Sequence, residues 1–388
     1  MLALLISLVA LSIDAMLPAL SEIGRDLGVA QANDSQLVVT FLFVGLMIGQ
    51  LIYGPLSDSI GRKRAIYAGL ALYMSGCVLS TMAWNFEVML AGRVLQGLGA
   101  AASRIVTIAL VRDQYSGRAM ARIMSLVMSV FIIVPALAPL LGQAILLVAS
   151  WRAIFGMLLT LSAIGFVWFA LRQPETLAPE NRKPFSLAVI LRSVLEILRN
   201  RQSLGYMVSA GLVFGAFIGY LSSAAQVMQV QYGLGIRFPF YFGALALGIG
   251  AAAFTNSRLV MRFGMRRLTT IALTVMGSAS ITFFCVSFWQ AGHPPLWSLM
   301  TWGMVNFFCF GMLMGNFNAM AMEPLGHIAG VGAGVVTSFT TISGVVLGTV
   351  IGQSYDGTVL PLIGGFALFS SMSLAVKLWV DSGLTRET

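Results

Sequence analysis

Two residues of opposite charge stand where charge is costly. Asp14 lies in the apolar run that opens the chain, within Leu11-Ser12-Ile13-Asp14-Ala15-Met16-Leu17-Pro18, and Arg93 lies in another, within Gly92-Arg93-Val94-Leu95-Gln96-Gly97-Leu98-Gly99-Ala100. An ionised side chain inside a membrane span needs a partner, and spans that keep one use it for proton relays, ion paths or substrate counter-charges. Glu22, Asp34, Asp58, Glu87, Asp113, Glu323 and Asp356 all fall at the ends of such runs or between them, so Asp14 is the principal proton-linked candidate. Protonating Asp14 would release Arg93 from an ion pair; deprotonating it would restore the pair or admit a cationic substrate, and either event biases a two-state equilibrium. The alternative is a static pair that only stabilises the fold.

Arg104 follows Arg93 on the same run. Eleven residues turn a helix through about 1100°, roughly 20° past three full turns, so both arginines point the same way about 16 Å apart. Facing a central cavity, that wall favours anionic or zwitterionic cargo, or a proton path with Asp14 as its acidic station. Snorkelling to the cytoplasmic interface instead, Arg104 says nothing about cargo.

Such residues need helices in lipid to hold them. Of 388 residues, 58% are hydrophobic and 10% are charged, which excludes an ordinary soluble domain. A bilayer crossing takes about 20 apolar residues. Twelve apolar runs lie near 1–20, 36–57, 64–84, 88–111, 118–149, 151–171, 204–230, 238–261, 267–290, 296–322, 329–353 and 358–380. Asp14 sits six residues below the outer end of the first and Arg93 six residues into the fourth, so at about 1.5 Å per residue each lies roughly 9 Å below the outer surface.

The net charge of +9 describes membrane topology rather than nucleic-acid binding. Arg62, Lys63, Arg64, Arg112, Arg118, Arg122, Arg172, Arg182, Lys183, Arg192, Arg199, Arg201, Arg258, Arg262, Arg266, Arg267, Lys377 and Arg386 fall on one side; Arg25, Arg152 and Arg237 fall on the other. The first side is therefore cytoplasmic and holds both termini. Met1 opens the first run with no basic leader and no cleavage site, so the run reads as a retained span, with a few preceding residues expected. Cys77, Cys285 and Cys309 sit within spans as small core residues, not disulfides or metal ligands.

Residues 172–203 divide the runs six and six, giving bundles over 1–171 and 204–388. Within the divider, Leu187, Ile190, Leu191, Val194, Leu195 and Leu198 form one helical stripe, with Arg192, Glu196 and Arg199 off it. That pattern fits a helix on the cytoplasmic membrane surface or one packed under the bundle. The halves repeat with an offset of 203 residues, which sets Gly61 on Gly264, Leu56 on Leu259, Lys63-Arg64 on Arg266-Arg267, and replaces Asp58 by Met261. Parallel six-span repeats are a known transporter construction.

Gly54-x-Leu56-x-Asp58-x-x-Gly61-Arg62-Lys63-Arg64 resembles the signature loop of the major facilitator superfamily, and the likeness extends over essentially the whole chain. Arg93-x-x-Gln96-Gly97 resembles the fourth-span motif of its proton-coupled members. Asp14-x-x-x-Pro18-Ala19-Leu20, Pro135-Ala136-Leu137-Ala138-Pro139-Leu140-Leu141-Gly142, Trp151-Arg152-x-Ile154-Phe155, Pro174-Glu175-Thr176-Leu177 and Asp356-Gly357-Thr358 resemble the bicyclomycin-resistance (Bcr/CflA) type of drug/proton antiporter. The resemblance implies an all-α membrane protein of twelve transmembrane helices, in two six-helix bundles around a cavity lined by spans 1, 4, 7 and 10. It implies a monomer in the bacterial inner membrane. It also implies that the Gly54–Arg64 loop, which glycines at 54 and 61 let reverse, gates the cytoplasmic side through Asp58, Arg62 and Asp113, with Arg112 nearby. Topology determination alone is the other reading of that loop's cations.

Asp14, Arg104 and the residues Phe41, Gln50, Phe131, Phe214, Phe217, Tyr220, Tyr241, Asn306, Phe310 and Asn318 are candidates to line a substrate pocket. Phe217 leads the aromatics because the offset of 203 sets it on Asp14. For any single aromatic, helix packing is the competing role. Gly330, Gly332, Gly334, Gly344, Gly348 and Gly352 read as packing residues of span eleven. Walker and dinucleotide fingerprints are absent from the sequence, so ATP is not the expected energy source, and no cofactor is expected. His293 and His327 fall in connections on opposite sides and make no enzyme site. The expected function is proton-driven efflux of a small amphipathic drug, with membrane lipid and protons as the other partners; export or symport of an endogenous metabolite is the alternative.

Overall fold

Apolar chain in lipid must satisfy its own backbone, and the helix does so within each segment. The computed structural model describes the backbone of residues 1–115, 117–182 and 184–387, and their side chains except those of 117, 118, 121, 125, 126, 128, 129, 131, 132, 329 and 384–387. Its α-helices are α1 (Leu2–Asp14), α2 (Leu20–Asp26), α3 (Leu37–Ile60), α4 (Arg62–Thr81), α5 (Phe86–Gln114), α6 (Gly117–Leu146), α7 (Arg152–Arg172), α8 (Leu187–Arg199), α9 (Arg201–Ala225), α10 (Phe238–Phe263), α11 (Met265–Trp289), α12 (Leu296–Met322), α13 (Ala329–Gln353) and α14 (Leu360–Glu387). Among the described residues, ten helical stretches are long and apolar enough to cross a membrane. The helix α4 is not one of them, since it opens on Arg62-Lys63-Arg64 and carries Gly69, Ser75, Gly76 and Ser80. In α6 the described apolar run is the shorter Ile133–Leu146.

The helices gather into two compact units, Met1–Leu191 and Arg192–Thr388, a division that falls inside α8. In the first unit α5 packs on both α3 and α4 through glycine. A Cβ on Gly45 would stand 2.1 Å from the Val94 carbonyl oxygen, and one on Gly97 only 2.0 Å from that of Leu42. On the other side of α5, a Cβ on Gly99 would stand 2.4 Å from the Gly69 oxygen and one on Gly76 would stand 2.6 Å from the Gln96 nitrogen. Small residues let helix backbones approach where lipid offers no hydrophobic drive to bring them together.

The first span is not one helix, as its run of apolar residues suggested. It breaks after Asp14 and resumes as a 3-10 turn, Leu17–Ala19, followed by α2. Pro18 is the cause: it has no N–H for the Asp14 carbonyl four residues earlier, and its ring crowds that carbonyl. Gly142 of α6 packs on the break, where its Cβ would stand 1.7 Å from the Ala15 carbonyl oxygen.

In the second unit α9 interlocks with α13 through Gly211, Gly215 and Gly219 on one side and Gly344 and Gly348 on the other. The seventh span ends in a π-helical turn, Gln226–Gln231. Lys377, grouped above with the topology-setting cations, is instead buried in α14. Its ammonium donates to the Arg266 carbonyl at 2.8 Å, to Asp381 at 2.6 Å and to the Thr270 hydroxyl. Asp381 also accepts from the Tyr206 hydroxyl at 2.7 Å. Cys77 and Cys309 are core residues, but Cys285 is exposed on α11.

Candidate functional site

Arg93 is fully buried, 0% exposed, and ties three helices together. Its Nε donates to the Val38 carbonyl of α3 at 2.9 Å, Nη1 to Gln96 Oε1 at 2.6 Å, and Nη2 to the Ser12 carbonyl of α1 at 2.8 Å. The guanidinium carbon also lies 5.8 Å from the centre of the Phe155 ring of α7. Gln96 is aimed by its own donation to Cys77 Sγ at 2.9 Å, and the Ser12 hydroxyl meets the Tyr73 hydroxyl at 2.6 Å. The Arg93-x-x-Gln96-Gly97 spacing is thereby explained. Gln96 shares the arginine's face one turn on, and Gly97 lets α3 close enough for Val38 to be reached.

Asp14 is 5% exposed, and among the described residues no hydrogen-bond donor and no cation reaches its carboxyl group. The ion pair with Arg93 considered above is not formed in this structure. Arg93 instead holds the carbonyl of Ser12, two residues before Asp14. Arg104 is half-buried on the same α5.

Four of the aromatic candidates come together. Phe217 stacks on Phe310 with centroids 4.3 Å apart and lies 6.2 Å from Phe214, and Phe214 lies 6.4 Å from Phe310. Phe307, which sequence reasoning missed, joins them edge-on, 5.6 Å from Phe217 and 4.7 Å from Tyr220. Tyr220 continues the cluster to Phe242 at 5.7 Å. Phe41 and Tyr241 are half-buried outside it, and Gln50 is buried on α3. Phe131 lies outside the residues whose side chains are described.

Asn306 does not join the aromatics. It is 0% exposed, and its amide is used between α11 and α12, accepting from the Ser280 hydroxyl at 2.9 Å and donating to the Trp302 carbonyl at 2.8 Å. Asn318 is half-buried, and its Oδ1 is without a partner among the described residues.

The loop between α3 and α4 turns at Gly61 alone. Gly54 lies inside α3 with no unusual backbone angle, so it does not help the reversal, whereas Gly61 has φ +99°. Arg62, only 8% exposed, donates to Asp58 at 2.5 Å, to Asp113 at 2.9 Å and to the Ser57 hydroxyl at 2.7 Å. Arg112 stays exposed, and no ion pair among the described residues includes it.

The unforeseen member of this cluster is Glu175. Its Oε1 accepts from the backbone N–H groups of Arg62, Thr176 and Leu177 at 3.0, 2.9 and 3.1 Å, and Oε2 accepts from that of Lys63 at 3.1 Å. Burial alone would raise this carboxyl, but the four N–H donors outweigh it and hold it below its ordinary value. Glu175 thus caps the N-terminus of α4, where the helix dipole favours negative charge. Thr176 adds a bond to Asp113 at 3.3 Å. A Cβ at Gly61 would stand 2.4 Å from Glu175 Oε2, so the glycine serves both the turn and the cap.

Buried charges inside spans, an aromatic cluster and an acid-capped loop at one end of the first unit are parts of a membrane transporter. A family model described as Major Facilitator Superfamily matches residues 2–348. The chain belongs to the major facilitator superfamily. It is 30% identical to the MFS-type transporter YdgK of Bacillus subtilis, over 100% of this chain and 95% of that one. It is 28% identical to a bicyclomycin resistance protein homolog of Haemophilus influenzae, over 90% and 87% of the two chains. The solved structure of the peptide transporter POT in complex with sulfate has the same fold, with a TM-score of 0.76 at 14% identity over 99% of this chain and 94% of that one. As a superfamily member, this chain is a multi-pass membrane transporter, all-helical in its described residues.

Proposed function

We propose that this transporter exports small amphipathic compounds, antibiotics among them, in exchange for protons, as a monomer in the bacterial inner membrane with both termini in the cytoplasm. The observation that carries the reading is Asp14, a carboxyl group buried at the break of the first span with neither donor nor cation beside it among the described residues. Such a group is carried most cheaply with its proton bound. When the proton leaves, the new charge favours whichever arrangement brings Arg93 off the Ser12 carbonyl or brings a cationic substrate in. The aromatic cluster around Phe217 supports an apolar, planar cargo. The similarity to a bicyclomycin resistance protein homolog supports a drug rather than a metabolite.

Substrate-induced proton release from purified protein in weak buffer tests the coupling. Asp14→Asn, which mimics the protonated acid, is expected to release none and to lose accumulation against a gradient while keeping downhill exchange. Proton release equal to the parent's would move the coupling site elsewhere. Antibiotic susceptibility of a pump-deficient host with and without the protein identifies the cargo class.

A further inference from the structure

The helix α8 carries an apolar face that the protein does not cover. Setting Leu187 at zero and allowing about 100° per residue, Ser193, Ile197, Ile190 and Val194 occupy roughly 240–340° of the helix. That arc is turned inward, with Ile197 0% exposed. Leu187, Leu198, Leu191 and Leu195 occupy roughly 0–80° by the same count, and Leu191 and Leu195 are 55% and 54% exposed. The single stripe read from the sequence is therefore two faces, one packed and one open.

Arg199 and Arg192 follow the open leucines at about 120–140°, and both are exposed. Apolar side chains bordered by cations are the pattern of a helix lying in a lipid headgroup layer, with the arginines at phosphate level.

Two features fix the helix at the membrane boundary. Glu196 Oε1 lies 2.5 Å from His327 Nε2, which ties α8 to the connection between α12 and α13. At that same end of the unit Gln202 of α9 reaches Glu323 at 2.8 Å, and the Arg201 guanidinium covers the exposed Trp379 ring at 4.3 Å. Tryptophan is enriched at membrane–water interfaces, and α8 ends at Arg199, two residues before Arg201.

We propose that α8 is an anionic-lipid-binding helix: Leu187, Leu191, Leu195 and Leu198 enter the leaflet, and Arg192 and Arg199 engage lipid phosphates. The charge of the two arginines selects an anionic leaflet over a zwitterionic one, and the near-continuity of α8 with α9 places it on that surface.

The full chain, with Cys285→Ser, is reconstituted into phosphatidylcholine vesicles with and without phosphatidylglycerol. Nitroxide labels are placed at Leu195→Cys on the open stripe and at Val189→Cys on the opposite, water-directed side. In phosphatidylglycerol vesicles the label at 195 is expected to be several-fold more accessible to oxygen than to a nickel chelate, and the label at 189 the reverse. The immersion at 195 is expected to be shallower in phosphatidylcholine alone, and Arg192→Gln with Arg199→Gln is expected to erase that difference. Equal nickel accessibility at 195 and 189 would overturn the docking. Identical immersion in both vesicle types would overturn the anionic selectivity, and dipolar broadening between labels at 195 would assign the stripe to a second copy instead.

Discussion

Arg93 holds its position by geometry that a lysine lacks. A planar guanidinium reaches the Val38 and Ser12 carbonyls and Gln96 at once, whereas an ammonium on a flexible stem is a single point. Arg93→Lys is expected to lower the thermal midpoint in detergent, with about 1.5–3 kcal/mol lost for each charged hydrogen bond left unmade, and to reduce transport more than substrate binding. An unchanged midpoint would mean that the three bonds are dispensable. Phe217→Ala removes the ring at the centre of the aromatic cluster, so susceptibility should shift most for planar apolar antibiotics and least for polar ones. The burial of Asp14 and Arg93 was legible from residue type and place in the apolar runs, whereas Phe217 was reached only through the offset of 203 residues. The use of the Asn306 amide between α11 and α12 was not legible, because sequence fixes how deep an amide lies and not which neighbour it faces. The break after Asp14 was not read from the apolar run, although Pro18, which has no N–H for the carbonyl four residues earlier, carries its signal.

At the scale of elements, the α3–α4 turn is built from three segments far apart in the chain, α3–α4 itself, the foot of α5 and the strap after α7. Glu175 caps α4 from that strap, a contact across more than a hundred residues that no local pattern reveals. Because its carboxyl is held below its ordinary value, the cap's contribution is complete above the unfolded value of about 4.3. It is lost as pH falls through the lowered folded value. Thermal midpoints of the parent and of Glu175→Gln should therefore differ by a constant amount at neutral pH and converge in acid; a gap that persists below that range would assign the cap's effect to shape rather than charge. Gly61→Ala adds a Cβ against Glu175 at a positive φ with extended ψ, costing about 1–3 kcal/mol for the backbone alone. At Gly264, which shares that backbone form with φ +74°, nothing stands within 4 Å of a Cβ, so Gly264→Ala should be the milder change. Asp58→Asn, which weakens the bond to Arg62, should slow transport while leaving equilibrium substrate binding close to the parent's.

For the whole molecule, the two units share a plan and differ in where they place charge. The first buries Arg93 among α1, α3 and α5, and the second buries Lys377 between α11 and α14. The helical succession was legible from apolar runs, because lipid leaves a segment few alternatives to the helix, and the two compact units divide within the polar stretch 172–203. The proposed sidedness rests on the basic loops and is checked by labelling intact cells: Val148→Cys and Met261→Cys, each 87% exposed at its site, are expected to react from outside and from inside respectively. Reaction of both from one side would break the even-span topology. The low apolarity of α4 also bears on how the protein is made. A segment that opens with three cations and holds several small polar residues partitions poorly into lipid by itself, yet α5 offers it a bed of glycines at Gly92 and Gly99. Synthesis must therefore carry α4 unsettled at the insertion machinery until α5 emerges: nascent chains stopped after Thr81 should leave α4 extractable by alkali, and chains stopped after Gln114 should retain it.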